Sequence, residues 1–228
     1  MTMHLNRRHL LISGAAAATL MLPACQSFPA LSLTEAIRRL LTLSSQAAFA
    51  MLLQPNGFYD NQIARIDLPE KFGGRTGTNI LAVVLQSRTF RDHLQRQLNR
   101  AAEKGAERAA PLVAEAVRTI SIEDAAAIVR GGGRQATLFL RQAMASSLSQ
   151  AMFPGITEGL RLFDDQVISQ AIKAVSGFDI SALSSDITAK AEESIWTAIG
   201  SEEERIRASP QSTNDPLLIG VFGLGSKI

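Results

Sequence analysis

Residues 32–52 read SLTEAIRRLLTLSSQAAFAML, and their pattern decides the fold class. Leu33, Ile37, Leu40, Leu41, Ser44, Ala48 and Leu52 recur at three- and four-residue steps, which gathers them on one face of a helix. Ser32-Leu33-Thr34-Glu35 has the form of a capping box. The Ser oxygen can accept from the Glu35 amide while the Glu side chain reaches back. Pro55-Asn56-Gly57 stops the helix.

The same period returns along the chain. Residues 58–77 carry Ile63, Ile66 and Leu68 before Pro69 and Gly73-Gly74, and read as an ordered connection. A long helix is expected from about Thr78 to Lys104, with Leu81, Val84, Leu85, Leu94, Leu98, Ala101 and Ala102 on its apolar face. Gly105 weakens it, and Pro111 suits the first turn of a next helix ending near Thr119. Ser121-Ile122-Glu123-Asp124 opens a short helix to about Arg130, and Gly131-Gly132-Gly133 breaks it. Further helices are expected over 135–152, up to Phe153-Pro154-Gly155, then over 156–175 and over 185–208. In the last, Ile187, Ala191, Ile195, Ala198, Ile199 and Ile206 mark the buried face, and Glu203 precedes Arg207 by four residues, the favourable order for a helical ion pair. The apolar tail, Leu217-Leu218-Ile219 and Val221-Phe222, should dock on the core as a helix or a strand. Because no period-2 run of useful length occurs elsewhere, the expected class is all-α, a single domain of about six to seven helices over residues 32–228.

Residues 1–24 read as an export leader. Arg7 and Arg8 form a basic start, and the stretch from Leu10 to Ala24 is uncharged and rich in Leu and Ala. That is the size of a signal h-region and is shorter than the ~18 apolar residues of a spanning helix. The order Asn6-Arg7-Arg8-His9-Leu10-Leu11 looks like a twin-arginine signal. Leu22-Pro23-Ala24-Cys25 resembles a bacterial lipobox, with a small residue ahead of the sole Cys of the chain. The expectation is cleavage before Cys25, acylation of its thiol, and a short tether over 25–31. Several acyl chains, each worth ~0.8 kcal/mol per buried methylene, anchor a protein firmly. Gln26 after the Cys, in place of Asp, favours the outer membrane under the enterobacterial sorting rule that the lipobox resemblance implies.

Composition narrows the function. The 228 residues carry 23 Lys+Arg and 21 Asp+Glu, and removing Arg7 and Arg8 with the leader leaves a neutral chain. A neutral domain with one Trp and one Tyr has neither the basic excess nor the stacking platform of a nucleic-acid binder. One Cys excludes an intramolecular disulfide and a Cys-based zinc cluster. His4 and His9 leave with the leader, so His93 is the one imidazole in the body, a poor basis for a metal site. No cofactor motif appears. Gly131-Gly132-Gly133-Arg134 lacks the preceding strand and the G-K-S/T of a phosphate loop. Asp164-Asp165 and Glu202-Glu203-Glu204 are neighbours on helices, which reads as a solvated face rather than as two carboxylates across a cleft. Asn99-Arg100-Ala101-Ala102-Glu103 is the most structured polar set. Arg100 and Glu103 share a helix side, and the alanines let another helix come near, so an interhelical polar clasp is expected there.

Several strings, taken in order, resemble one bacterial family, the domain-of-unknown-function family 4197 of small envelope proteins. They are Asn56-Gly57-Phe58, Ile66-Asp67-Leu68-Pro69-Glu70, Asn99-Arg100-Ala101-Ala102-Glu103, Ser121-Ile122-Glu123-Asp124-Ala125 with Ile128 and the glycines, Ala136-Thr137, Phe153-Pro154, Glu203-Glu204-Arg205-Ile206-Arg207 with Pro210, and Leu217-Leu218 with Val221-Phe222-Gly223. The chain departs from the family pattern at Gly133-Arg134, where an acidic pair follows the glycines, and at Thr213 and Ile219-Gly220, where basic residues stand. The resemblance implies an all-α fold and an envelope location, and it brings no activity.

These readings lead to a lipid-anchored, periplasm-facing helical protein that binds or scaffolds. Its partners would be the membrane, through the lipid on Cys25, and an envelope protein or lipid, with no nucleic acid. Two alternatives stand beside it. One is a carrier that holds an apolar ligand in a helical cavity. The other is a hydrolase-like enzyme that uses Glu103, Arg100 and His93, which requires the three to meet in one cleft.

Overall fold

The computed structural model describes residues 30–68, 87–161 and 180–223. Among them are seven α-helices: α1 (Ala30–Leu52), α2 (Arg88–Thr119), α3 (Ala125–Arg130), α4 (Gln135–Met144), α5 (Ser147–Arg161), α6 (Ile180–Ala208) and α7 (Pro216–Gly223), with a 3-10 turn at Pro210–Thr213 before α7. No strand occurs among the described residues, so the class is all-α. Helix α2 packs along α5, α1 along α6, and α5 also lies on α6, which closes a bundle. Helix α3 rests on α1, α4 on α6, and α7 on α1 and the 3-10 turn. Residues 1–29, with Arg7, Arg8 and Cys25, lie outside the described residues, as do Asp164-Asp165.

The apolar stripe of α1 is the centre of the core. Ile37, Leu40, Leu41, Ala48 and Leu52 have no exposed surface, and Ser44 among them donates to the Leu40 carbonyl at 2.8 Å. Serine is tolerated there because its hydroxyl is satisfied within the helix. On α6, all six residues expected on the buried face are buried.

Several boundaries differ from the sequence expectation. Helix α1 begins at Ala30, so Ser32 lies inside the first turn, and Glu35 turns forward to Arg39 at 2.9 Å. The expected break at Gly105 and Pro111 is absent, and α2 is continuous from Arg88 to Thr119. Pro111 sits on the exposed side. Gly105 serves packing instead, since a Cβ there would meet Ile156 Cγ1 at 2.6 Å. The reciprocal face of α5 is also bare. A Cβ on Gly155 would come within 2.7 Å of the Lys104 carbonyl oxygen, and one on Gly159 within 2.8 Å of Ala101 Cα. Ala101, Gly105, Gly155 and Gly159 thus let the two backbones approach closely.

The break expected at Phe153-Pro154-Gly155 lies nine residues earlier, at Ala145 (φ 45°, ψ −121°). Pro154 is carried inside α5. Gly155 is committed to the helix contact and does not end the helix. In front of α3 the cap is Asp124, which accepts from the Ala127 amide at 3.0 Å, not Ser121. The tail docks as expected and is helical, with Leu218, Val221 and Phe222 buried.

Candidate functional site

Two buried polar centres hold the fold. The first joins α2 to the 55–68 loop. Asn99 is fully buried, accepts from the Ile66 amide at 2.9 Å, and donates to the Ile66 carbonyl at 3.0 Å and the Gln95 carbonyl at 2.7 Å. One side-chain amide therefore satisfies both backbone groups of Ile66, which have no strand or helix to pair with. Gln95 donates to Asp67 Oδ1 at 3.0 Å, and Ser194 on α6 to the Ala64 carbonyl at 3.1 Å. The loop is strapped to two helices by side chains.

Glu103 stands one turn further along α2, half-buried against the Gly57–Phe58 turn. Burial raises its carboxyl above the usual range, and the nearby Phe58 amide and the Arg100 guanidinium counter this in part. Oε1 is shut off from solvent and accepts no well-formed hydrogen bond. Arg100 is exposed. The expected interhelical clasp of Asn99, Arg100 and Glu103 is therefore a helix-to-loop clasp that works through Asn99. The helix contact occurs beside it, at Ala101 and Gly159.

The second centre was not legible as a site. Glu203 is fully buried, contrary to the solvated face expected of Glu202-Glu203-Glu204. Its carboxylate accepts from the Ala136 amide at 3.0 Å, the Thr137 amide at 2.7 Å and the Thr137 hydroxyl at 2.6 Å. These are orphan donors of the first turn of α4, where a negative charge is favoured. Arg207 donates to Glu203 at 2.8 Å, and to the Val129 and Ile128 carbonyls at 3.0 and 3.1 Å, at the C-terminal end of α3. Its guanidinium lies 4.7 Å from the Phe222 ring centroid of α7. Burial lowers the Arg207 pKa, and Glu203 opposes that shift. Glu204 is exposed and pairs with Arg134 at 3.0 Å. A carboxylate from α6 therefore fills the place at the α4 N-terminus where a phosphate would sit, which disposes of a phosphate loop at Gly131–Arg134. A signal was present: residue 203 lies four after Ile199 and three before Ile206, in phase with the buried stripe.

His93 is exposed, with Gln97 Nε2 3.5 Å from its Nε2. It lies ten residues from Glu103 on the same helix, a rise of about 15 Å. Glu103, Arg100 and His93 do not converge, and the hydrolase-like reading loses its geometry. No group of three or more metal-ligating side chains exists among the described residues. A cleft of about 680 Å³ lies beside Asp67, Arg88, Arg91 and Asp92, and one of about 420 Å³ between α5 and α6 beside Phe153, Thr188 and Glu192. The first lies between polar side chains and the second has a largely apolar lining, but both open to solvent, so neither is the enclosed chamber that a carrier needs.

A family model of proteins of unknown function, DUF4197, matches residues 28–223. The chain belongs to the DUF4197 family. No curated protein and no solved structure matches it. Several of the strings that carry the resemblance fall on the two polar centres of this DUF4197 domain. Gly57-Phe58, Ile66 and Asn99 to Glu103 meet at the first. Ile128, Ala136-Thr137, Glu203 to Arg207 and Phe222 meet at the second. In this DUF4197 chain they tie helices and a loop together.

Proposed function

We propose that this DUF4197 chain is a lipid-anchored helical scaffold of the bacterial cell envelope. Residues 1–24 direct export, Cys25 carries the lipid, the residues from Cys25 to the start of α1 at Ala30 form the tether, and the helical domain faces the periplasm from the outer membrane. The observation that carries this reading is the place of Cys25. The sole sulfur-bearing thiol of the chain ends an uncharged leader, three residues before the family match begins at residue 28. No described helix is long and apolar enough to cross a membrane.

The non-catalytic part of the reading is supported by how the buried polar groups are used. Asn99, Glu203, Arg207 and Thr137 are bonded to backbone and to one another. A binding or scaffolding role needs a rigid body with a defined surface, and these bonds supply the rigidity.

Metabolic labelling with palmitate tests the anchor. Label should enter the wild type and be lost in Cys25→Ala; equal label in both overturns the reading. Replacing Arg7 and Arg8 by lysines should block export if the twin-arginine route is used, and leave it nearly unchanged on the general route. Crosslinking of the anchored protein in its own envelope identifies the partner.

A further inference from the structure

Basic residues and exposed apolar side chains coincide at one end of the bundle. Arg39, Arg108, Arg118, Arg134, Arg141, Arg205 and Arg207 each pair with a carboxylate. Seven exposed arginines stand in no ion pair among the described residues: Arg130, Arg161, and a group of five, Arg65, Arg88, Arg91, Arg96 and Arg100. All five lie in the first half of α2 or in the loop that crosses it. Of the four large apolar side chains that stand exposed among the described residues, three are at this end: Met51, Leu53 and Ile63, the last 61% exposed. Asn61 ties two of these together, donating to Met51 Sδ at 3.2 Å and accepting from the Ile63 amide at 2.9 Å. Tyr59 stands between the apolar and basic parts, with the Arg65 and Arg96 guanidinium carbons 4.5 and 5.1 Å from its ring centroid. The surface acids nearby are Asp60, Asp67 and Asp92, against five arginines, and Glu103 is turned into the Gly57–Phe58 turn.

We propose that this end of the bundle, around Tyr59 and Ile63, docks on the headgroup region of an anionic bilayer. Met51, Leu53 and Ile63 are exposed and line neither of the two clefts, so a partner of fixed shape would have to be moulded to them. A lipid surface conforms to protruding side chains. Arginines flanking such side chains keep their heads among phosphates while their stems cover apolar surface, and a tyrosine at that depth is amphipathic in the same sense. Apolar burial and attraction to anionic lipid then act together. The inference rests on the envelope reading above and adds a second attachment. Helix α1 runs 23 residues from Ala30 to Leu52, about 35 Å, with the tether at its start and this end at its finish. Two attachments lay α1 along the membrane rather than upright on it.

The test uses the mature chain from residue 25 with Cys25→Ser, so that neither the leader nor an acyl chain contributes, and a bimane probe on Gln62→Cys, an exposed loop position that leaves Ile63 intact. Vesicles of phosphatidylethanolamine with one part in about four of phosphatidylglycerol should shift the probe to the blue and expose it to lipid-borne quenchers; pure phosphatidylcholine should not. Each arginine near an anionic surface is worth about fivefold in partition, so Arg65→Glu with Arg96→Glu should lower the probe's response at least about 25-fold. Both residues are exposed, so the far-ultraviolet dichroism should be unchanged. Water-like emission on the anionic vesicles, an equal shift on the neutral ones, or a shift produced only by envelope proteins overturns the proposal. A probe that responds while wild-type Cys25 takes no palmitate sinks the anchor and leaves the docking surface standing.

Discussion

Glu203 and Arg207 stand one turn apart on α6, 2.8 Å between carboxylate and guanidinium, and each closes the end of a different helix. Glu203 covers the N-terminal amides of α4, and Arg207 the C-terminal carbonyls of α3. The charge of each matches the partial charge of the end it meets. Glu203 is fully buried and both its oxygens accept two hydrogen bonds, while Arg207, 10% exposed, donates from all three nitrogens, which is the condition under which a buried ion pair is tolerated.

Removing one member is therefore expected to be severe. Glu203→Ala strands the Ala136 and Thr137 amides and leaves Arg207 uncompensated, and should cost about 3–5 kcal/mol. The urea midpoint at pH 7 measures it. The double variant Glu203→Ala/Arg207→Ala should lose clearly less than the sum of the two single losses, because the residues share one network. Simple additivity would show that they act separately.

Asn99→Ala leaves the Ile66 amide without a partner in a buried place, and the Ile66 carbonyl with only the long bond from Gln95 Nε2 at 3.4 Å. With one group orphaned, a loss of about 1–3 kcal/mol is expected, with faster hydrogen exchange at Ile66. Asn99→Asp should fail to restore it, since a carboxylate cannot donate to the Ile66 and Gln95 carbonyls.

Gly159→Ala should destabilise although alanine is the better helix former. The propensity gain is about 1 kcal/mol. The new Cβ would sit 2.8 Å from Ala101 Cα, a backbone atom that cannot step aside. Overpacking of this kind costs about 1–3 kcal/mol, so the melting temperature should fall. A rise would mean that α2 and α5 separate readily.

Ala145→Gly should stabilise. Ala145 holds φ at 45°, a region that costs an alanine about 1–3 kcal/mol and a glycine almost nothing. After the extra backbone entropy of glycine in the unfolded chain, a gain of about 1 kcal/mol remains.

Two carboxyls give opposite pH dependences. Asp215 caps α7 through the Leu217 and Leu218 amides at 2.8 and 3.2 Å and pairs with Arg39 at 3.0 Å. Burial works against its ionised form, but Arg39 and the two amides outweigh it and hold the carboxyl below its ordinary value. Its contribution is present above the unfolded-state pKa and is lost as pH falls through the folded value. The Glu103 carboxyl is raised by burial, so the fold loses stability as pH climbs from the ordinary glutamate value through the folded one. Asp215→Asn should flatten the acid limb of the stability curve, and Glu103→Gln the limb above it while raising the urea midpoint at pH 7. An unchanged curve in both variants would refute these assignments.

The all-α class, the apolar faces of α1 and α6, the short helix before the glycines and the docking of the tail were legible in the sequence. They follow from local rules: a repeat near 3.6 residues places side chains on one face whatever lies opposite. The proposed leader and Cys25 rest on a linear pattern alone, and the tertiary structure has no part in that proposal. What the sequence did not determine are the choices made between segments far apart in the chain. Pro111, Pro154 and Gly105 carry local signals to break a helix, and packing of α2 against α5 overrides them, because close contact over a long interface outweighs one missing hydrogen bond. Glu203 looks like a surface acid until the ends of α3 and α4 are brought to it from about 70 residues away. Periodicity tells a residue which way it faces; only the tertiary structure decides what it meets there.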